Sequence, residues 1–251
     1  MGLVLAALVV LAVWWLSTGL ILRVVEPVHP QSQRRAMLWA SVLLAVGMVG
    51  VVGSRSLDTA LGAYIAFGSA VMVWAWQEIA FLLGLVTGPN RAPCPPVQGW
   101  RRAWYAFTAI AHHELALVLL GLAVLVPTFD APNSVAWQTW LVLWTMRLST
   151  KLNIFLGVKN FYEAFLPASL HYLFSYFTRR RFNVLFPFSV GLSTLVAVLI
   201  WAAALQAETA YREAALGLLG SLMVLAIVEH ALLIAPLRPE SLWRWAVRPR
   251  E

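Results

Sequence analysis

The chain has 251 residues, 61% of them hydrophobic and 12% charged, with a mean hydropathy of +0.77 and a formal net charge of +7. A water-facing surface of ordinary polarity cannot be assembled from this composition, which excludes a soluble globular domain and points to an all-α, polytopic membrane protein. A single cysteine, Cys94, precludes an intramolecular disulfide, and no internal repeat, phosphate loop, nucleophile elbow or zinc-protease motif is visible.

A helix crosses the hydrocarbon core with about 20 mostly apolar residues. Seven runs of that kind are predicted, at 3–22, 36–54, 59–86, 104–126, 134–150, 185–206 and 212–235. The first lacks a basic leader, and Trp14-Trp15 followed by Arg23 reads as an interfacial anchor, so the run is a span and not a cleaved signal. In the second, Gly47, Gly50 and Gly53 recur on one face and allow close helix contact. The third carries Glu78, and the fourth carries His112, His113 and Glu114 within "AIAHHELALVLL". Between them "RAPCPP" holds Cys94 beside proline; a Cys-Pro pair can ligate haem, but a proline-rich turn is the simpler reading. The fifth run is the least regular, because Arg147 and Lys151 intrude at its end. The seventh carries Glu229-His230, and the final "RPESLWRWAVRPRE" alternates Trp and Arg like a segment resting on headgroups.

Charge sets the orientation. With seven spans, 16 of the 18 Lys and Arg residues fall on one side and only Arg55 and Arg212 on the other, which predicts a periplasmic N-terminus and a cytoplasmic C-terminus. The basic balance is then explained by topology and an anionic inner leaflet, with no role for nucleic acid.

Six ionisable residues stand inside the spans: Glu78, His112, His113, Glu114, Glu229 and His230. At about 1.5 Å of rise per residue, all lie within roughly one turn of the same depth in the cytoplasmic half of the membrane. Such residues face the bundle interior and pair, since a lone charge at the helix centre costs about 2.5–3.5 kcal/mol. Three carboxylates repel one another, so shared protons, the histidines or a cation must offset them. Hydrogen bonding between helices is the plain reading. A metal ion or a tetrapyrrole with an axial imidazole is the sharper one, and a proton path the third. Adjacent His112 and His113 point about 100° apart, and the Glu-x-x-His spacing of di-iron bundles is absent.

The segment 151–184 carries no twenty-residue apolar run and should lie along the cytoplasmic face, with 168–178 as an amphipathic interfacial helix after Pro167. Lys151, Asn153, Asn160, His171, Arg179, Arg180, Arg181 and Asn183 make it a candidate docking surface for another membrane protein or a pigment.

The stretches "KLNIFLGVKN", "FLPASLHYLFSYF" and "NVLFP", with "HHEL" and the "EH" pair of the last span, resemble the PuhE family of photosynthetic complex assembly proteins, encoded beside the reaction-centre H subunit gene in purple phototrophic bacteria. The resemblance spans nearly the whole chain. Lys159 stands where that family usually carries proline, so no proline-imposed turn is expected there. The resemblance implies an inner-membrane assembly factor for the reaction centre and core light-harvesting antenna, with those subunits as partners and bacteriochlorophyll as a pigment it handles. It supplies no catalytic or binding residues. The competing expectation is a metal-dependent membrane oxidoreductase acting on a lipid-soluble pigment precursor through the Glu/His cluster.

Overall fold

The computed structural model describes residues 1–26, 29–161, 163–237 and 242–246. Among them the regular elements are all helical: α1 Gly2–Val25, α2 Pro30–Ser54, α3 Ala60–Leu82, α4 Gly99–Thr128, α5 Val135–Leu156, α6 Leu185–Leu205 and α7 Ala210–Leu232, with two 3-10 helices, Glu163–Phe165 and Ala168–Tyr176, between α5 and α6. Six of the long helices are apolar enough to cross a membrane; α5 is not one of the six.

The helix starts follow local chemistry. Pro30 opens α2 at its first turn, where a missing N–H costs nothing. Thr59 and Thr209 cap α3 and α7 by accepting from Gly62 N and Arg212 N at 3.1 and 3.2 Å. α3 and α7 are the central helices, the most deeply buried of the spans, while α1, α2, α4 and α6 turn most of their apolar surface outward. In a membrane, that outward surface meets lipid tails without cost.

α2 and α3 pack most closely. A Cβ on Gly47 would stand 2.9 Å from the Ser69 carbonyl oxygen, and one on Gly50 2.1 Å from Ser69 Oγ, so both glycines serve the contact. Gly53 does not: a Cβ there meets nothing within 4 Å.

Two boundaries differ from the sequence reading in ways that bear on function. α3 stops at Leu82, not 86, where Gly84 takes φ 72 and turns the chain. The following segment then packs back along α4, with the His113 N–H donating to the Thr87 carbonyl at 2.8 Å and a Cβ on Gly88 excluded by the Thr108 carbonyl at 2.1 Å. α5 runs on to Leu156, so Lys151 and Asn153 belong to a helix and not to the loop, and Arg147 stands two turns inside it. The cations that made a helix end look near each pair with a carboxylate within the bundle instead.

The loop packs on the helices. Residues 168–176 form a 3-10 helix whose Leu170, Leu173 and Tyr176 are buried against α3 and α4. Tyr176 Oη donates to the Ala92 carbonyl at 3.0 Å and accepts from Asn90 Nδ2 at 2.9 Å, and burial pushes its phenol up, keeping the donor in place. Lys159 N–H donates to the Leu233 carbonyl at 3.2 Å, a bond that proline could not make. In the tail, Trp243 packs edge-on against Trp14 at 5.0 Å and donates to the Trp15 carbonyl at 2.9 Å, so this stretch docks on α1. Residues 238–241 and 247–251 of the Trp/Arg tail lie outside the described residues.

Candidate functional site

A cavity of about 630 Å³ lies between α1, α3, α4, α5 and α7 and is also lined by aromatic residues of the loop, among them Phe161, Tyr176 and Phe177. Its wall is mostly apolar. Glu78, Glu114 and Glu229 all reach it, one from each of α3, α4 and α7.

Arg147 and Lys151, both from α5, also line the cavity and supply the opposing charge. Arg147 Nη2 donates to Glu78 Oε2 at 3.2 Å, and Lys151 Nζ donates to Glu114 Oε1 at 2.6 Å. Glu229 accepts from the Trp14 indole at 2.6 Å. Arg147 and Lys151 stand four residues apart on one helix face, which puts one cation opposite α3 and the next opposite α4. The Arg147 side chain keeps 41% of its surface accessible and that of Lys151 keeps 21%, and both line the cavity.

The histidines go elsewhere. None of His112, His113 and His230 lines the cavity. His112 is exposed on the outer face of α4. His113 is fully buried, stacked on Phe81 with ring centroids 4.3 Å apart, and its Nδ1 has no partner. His230 has both ring nitrogens engaged, Nδ1 with the Ala226 carbonyl at 2.9 Å and Nε2 with Ser149 Oγ at 2.9 Å. A carbonyl only accepts, so Nδ1 carries a proton and donates to Ala226. The ring belongs to a chain of polar contacts. Asn183 Nδ2 donates to Asn153 Oδ1 at 3.1 Å, and Asn153 Nδ2 reaches Ser149 Oγ at 3.4 Å.

Among the described residues no three His, Cys, Asp or Glu side chains come together as a metal-binding group. The carboxylates are spread over three helices and engaged by Arg147, Lys151 and the Trp14 indole, and the imidazoles face away from them.

The remaining loop candidates mostly hold the loop itself. Asn160 Nδ2 donates to the carbonyls of Leu232 and Ala235 at 2.7 and 2.6 Å and so caps α7. Asn183 ties the start of α6 to α5, donating also to the Gly157 carbonyl at 2.9 Å and accepting from Phe186 N at 3.1 Å. His171 contacts the Leu166 carbonyl at 3.2 Å and stacks on Phe174. Arg179 pairs with Glu163, the Arg180 stem packs over Gly157, and Arg181 is exposed. Arg102, which the sequence did not single out, pins this loop to α4: it donates to the Tyr176 carbonyl at 2.5 Å and to Thr178 Oγ1 at 2.8 Å, and lies 4.3 Å over the Phe155 ring. Its place in a basic pair at a span end gave no signal of that role.

Residues 1–251 match the family described as protein of unknown function (DUF3623). The chain is 35% identical over 245 residues to the uncharacterized 30.4 kDa protein in the puhA 5′ region of Rhodobacter capsulatus, a similarity covering 96% of this chain and 89% of the relative. No solved structure matches.

Proposed function

The chain belongs to the DUF3623 family, and we propose that it is a multi-pass inner-membrane assembly factor for the photosynthetic reaction centre and core light-harvesting complex, holding a bacteriochlorophyll-type pigment in its cavity during that assembly. The observation that carries this reading is the cavity itself: about 630 Å³, within the range of small-molecule sites, with an aromatic wall and charged groups from α3, α4, α5 and α7. A largely apolar ligand with a few polar atoms fits such a lining. The position of the relative in the puhA 5′ region supports the setting, since the PuhE resemblance implies a gene beside that of the reaction-centre H subunit.

In this reading all seven long helices span. α5 carries two cations, but each is paired inside the bundle, which removes the penalty that its composition alone would impose. Taking Arg147 and Lys151 out of the cytoplasmic count still leaves fourteen Lys and Arg residues against two, so the N-terminus is periplasmic and the C-terminus cytoplasmic. Arg179, Arg180 and Arg181 then present charge on the cytoplasmic face to lipid headgroups and to partner subunits.

The test is an absorption spectrum with elemental analysis on detergent-purified protein, from a pigment-producing host and from a pigment-free one. A red-shifted bacteriochlorophyll band from the first host, together with loss of core-complex yield on deletion of the gene, is the expected result. Stoichiometric iron from both hosts with no pigment from either would replace this function with the metal-dependent oxidoreductase.

A further inference from the structure

We infer that the cavity recognises its ligand through acceptor oxygens at the ligand's edge, taken by Arg147 and Lys151, and not through a bond between a metal in the ligand and a histidine. This inference rests on the pigment reading above but goes beyond it, because a magnesium macrocycle offers both handles and the structure favours one.

Donor accounting is the first step. A guanidinium carries five N–H groups and an ammonium three. Each cation has one carboxylate contact, Arg147 with Glu78 and Lys151 with Glu114, and Arg147 Nε is buried without a partner. The cavity wall thus offers more N–H donors than these carboxylates take up, in surroundings where an unmet donor is costly. A ligand bearing neutral keto or ester oxygens meets that demand without adding a fourth carboxylate to Glu78, Glu114 and Glu229 on the same wall.

Placement of the imidazoles is the second step, and it is independent of the first. A metal in the ligand needs a free ring nitrogen in the cavity, yet no histidine lines it. His230 has no nitrogen to give, and His113 is sealed behind Phe81. His112 points outward from α4, while Glu114, about 200° further round the same helix, reaches the cavity.

The two handles are separated by a pair of probes that differ only in the metal: bacteriochlorophyll a and its magnesium-free form, bacteriopheophytin a. Both are titrated into the full-length protein in detergent and followed by quenching of tryptophan fluorescence, since Trp14, Trp74, Trp144 and Trp243 line the cavity. The expected result is binding of the two within about threefold of each other. The double variants Arg147→Met with Glu78→Gln and Lys151→Met with Glu114→Gln remove each cation together with the carboxylate it hydrogen-bonds, and each should weaken both pigments about tenfold or more. His112→Leu and His113→Leu should leave both unchanged. Binding of the magnesium form alone, or its loss in either histidine variant, would overturn the inference while leaving the pigment reading in place. Binding of neither pigment would overturn both.

Discussion

At the scale of single residues, the membrane interior makes every charge conditional on its partner. Glu78 and Arg147 meet at 3.2 Å beside the cavity, and removing one leaves the other charged in a place where water is scarce. Arg147→Met alone should therefore lower stability by about 1–3 kcal/mol, and adding Glu78→Gln should restore part of that loss. Thermal scanning of the two singles and the double in detergent measures the coupling; strictly additive losses would mean that the pair is not an energetic unit. His230 makes the opposite point about histidines in spans. Its two ring nitrogens are both satisfied by α5 and α7, so His230→Phe should cost stability of about 1–3 kcal/mol by stranding the Ser149 hydroxyl, while pigment co-purification scaled to folded protein stays the same. Loss of pigment from a His230 variant that keeps its melting temperature would return the residue to the binding site. The three glutamates could be found in the sequence because a carboxylate in a twenty-residue apolar run is conspicuous. Their counter-charges could not, because Arg147 and Lys151 sit where a span end and a basic loop explain them equally well.

At the scale of elements, what decides a contact is how closely two backbones can approach. α2 and α3 are in contact at Gly47, where an added Cβ would meet a backbone carbonyl that cannot turn aside, whereas Gly53, two turns further on, faces open space. Gly47→Ala should destabilise by about 1–3 kcal/mol and Gly53→Ala should change nothing measurable in the same thermal assay. Equal effects at both positions would mean that helix propensity, not packing, sets the result. The spacing of the three glycines was legible in the sequence, but which of them touch α3 depends on the crossing of the two helices, which the spacing does not fix. The same limit applies to the loop. Its aromatic residues signalled an amphipathic segment, yet the 3-10 geometry of Ala168–Tyr176 comes from its fit against α3 and α4 and from the anchor of Arg102 on the Tyr176 carbonyl. A helix resting on lipid and a helix packed on protein need the same apolar face.

At the scale of the whole molecule, the open quantity is the number of crossings, since α5 differs from the other six helices in composition. Six crossings put both termini on one side, and seven put them on opposite sides. An even number with α5 outside the membrane would also carry Arg147 and Lys151 out of the apolar layer, and would pull α3, α4 and α7 away from the partners they meet there. On the proposed topology α5 is the fifth of seven crossings. The chain holds its own reporter for this, because its one cysteine, Cys94, lies between α3 and α4 and is partly accessible. On the proposed orientation that loop is cytoplasmic. A membrane-impermeant maleimide should label Cys94 in inside-out vesicles and not in spheroplasts. Placing a second cysteine at Arg181, which is exposed in the loop after α5, in a Cys94→Ser background tests the fifth crossing directly. With two crossings, α4 and α5, between them, positions 94 and 181 share a side and label together. Labelling of the two from opposite faces would mean that only one of α4 and α5 crosses, and the paired charges around the cavity would then need another explanation.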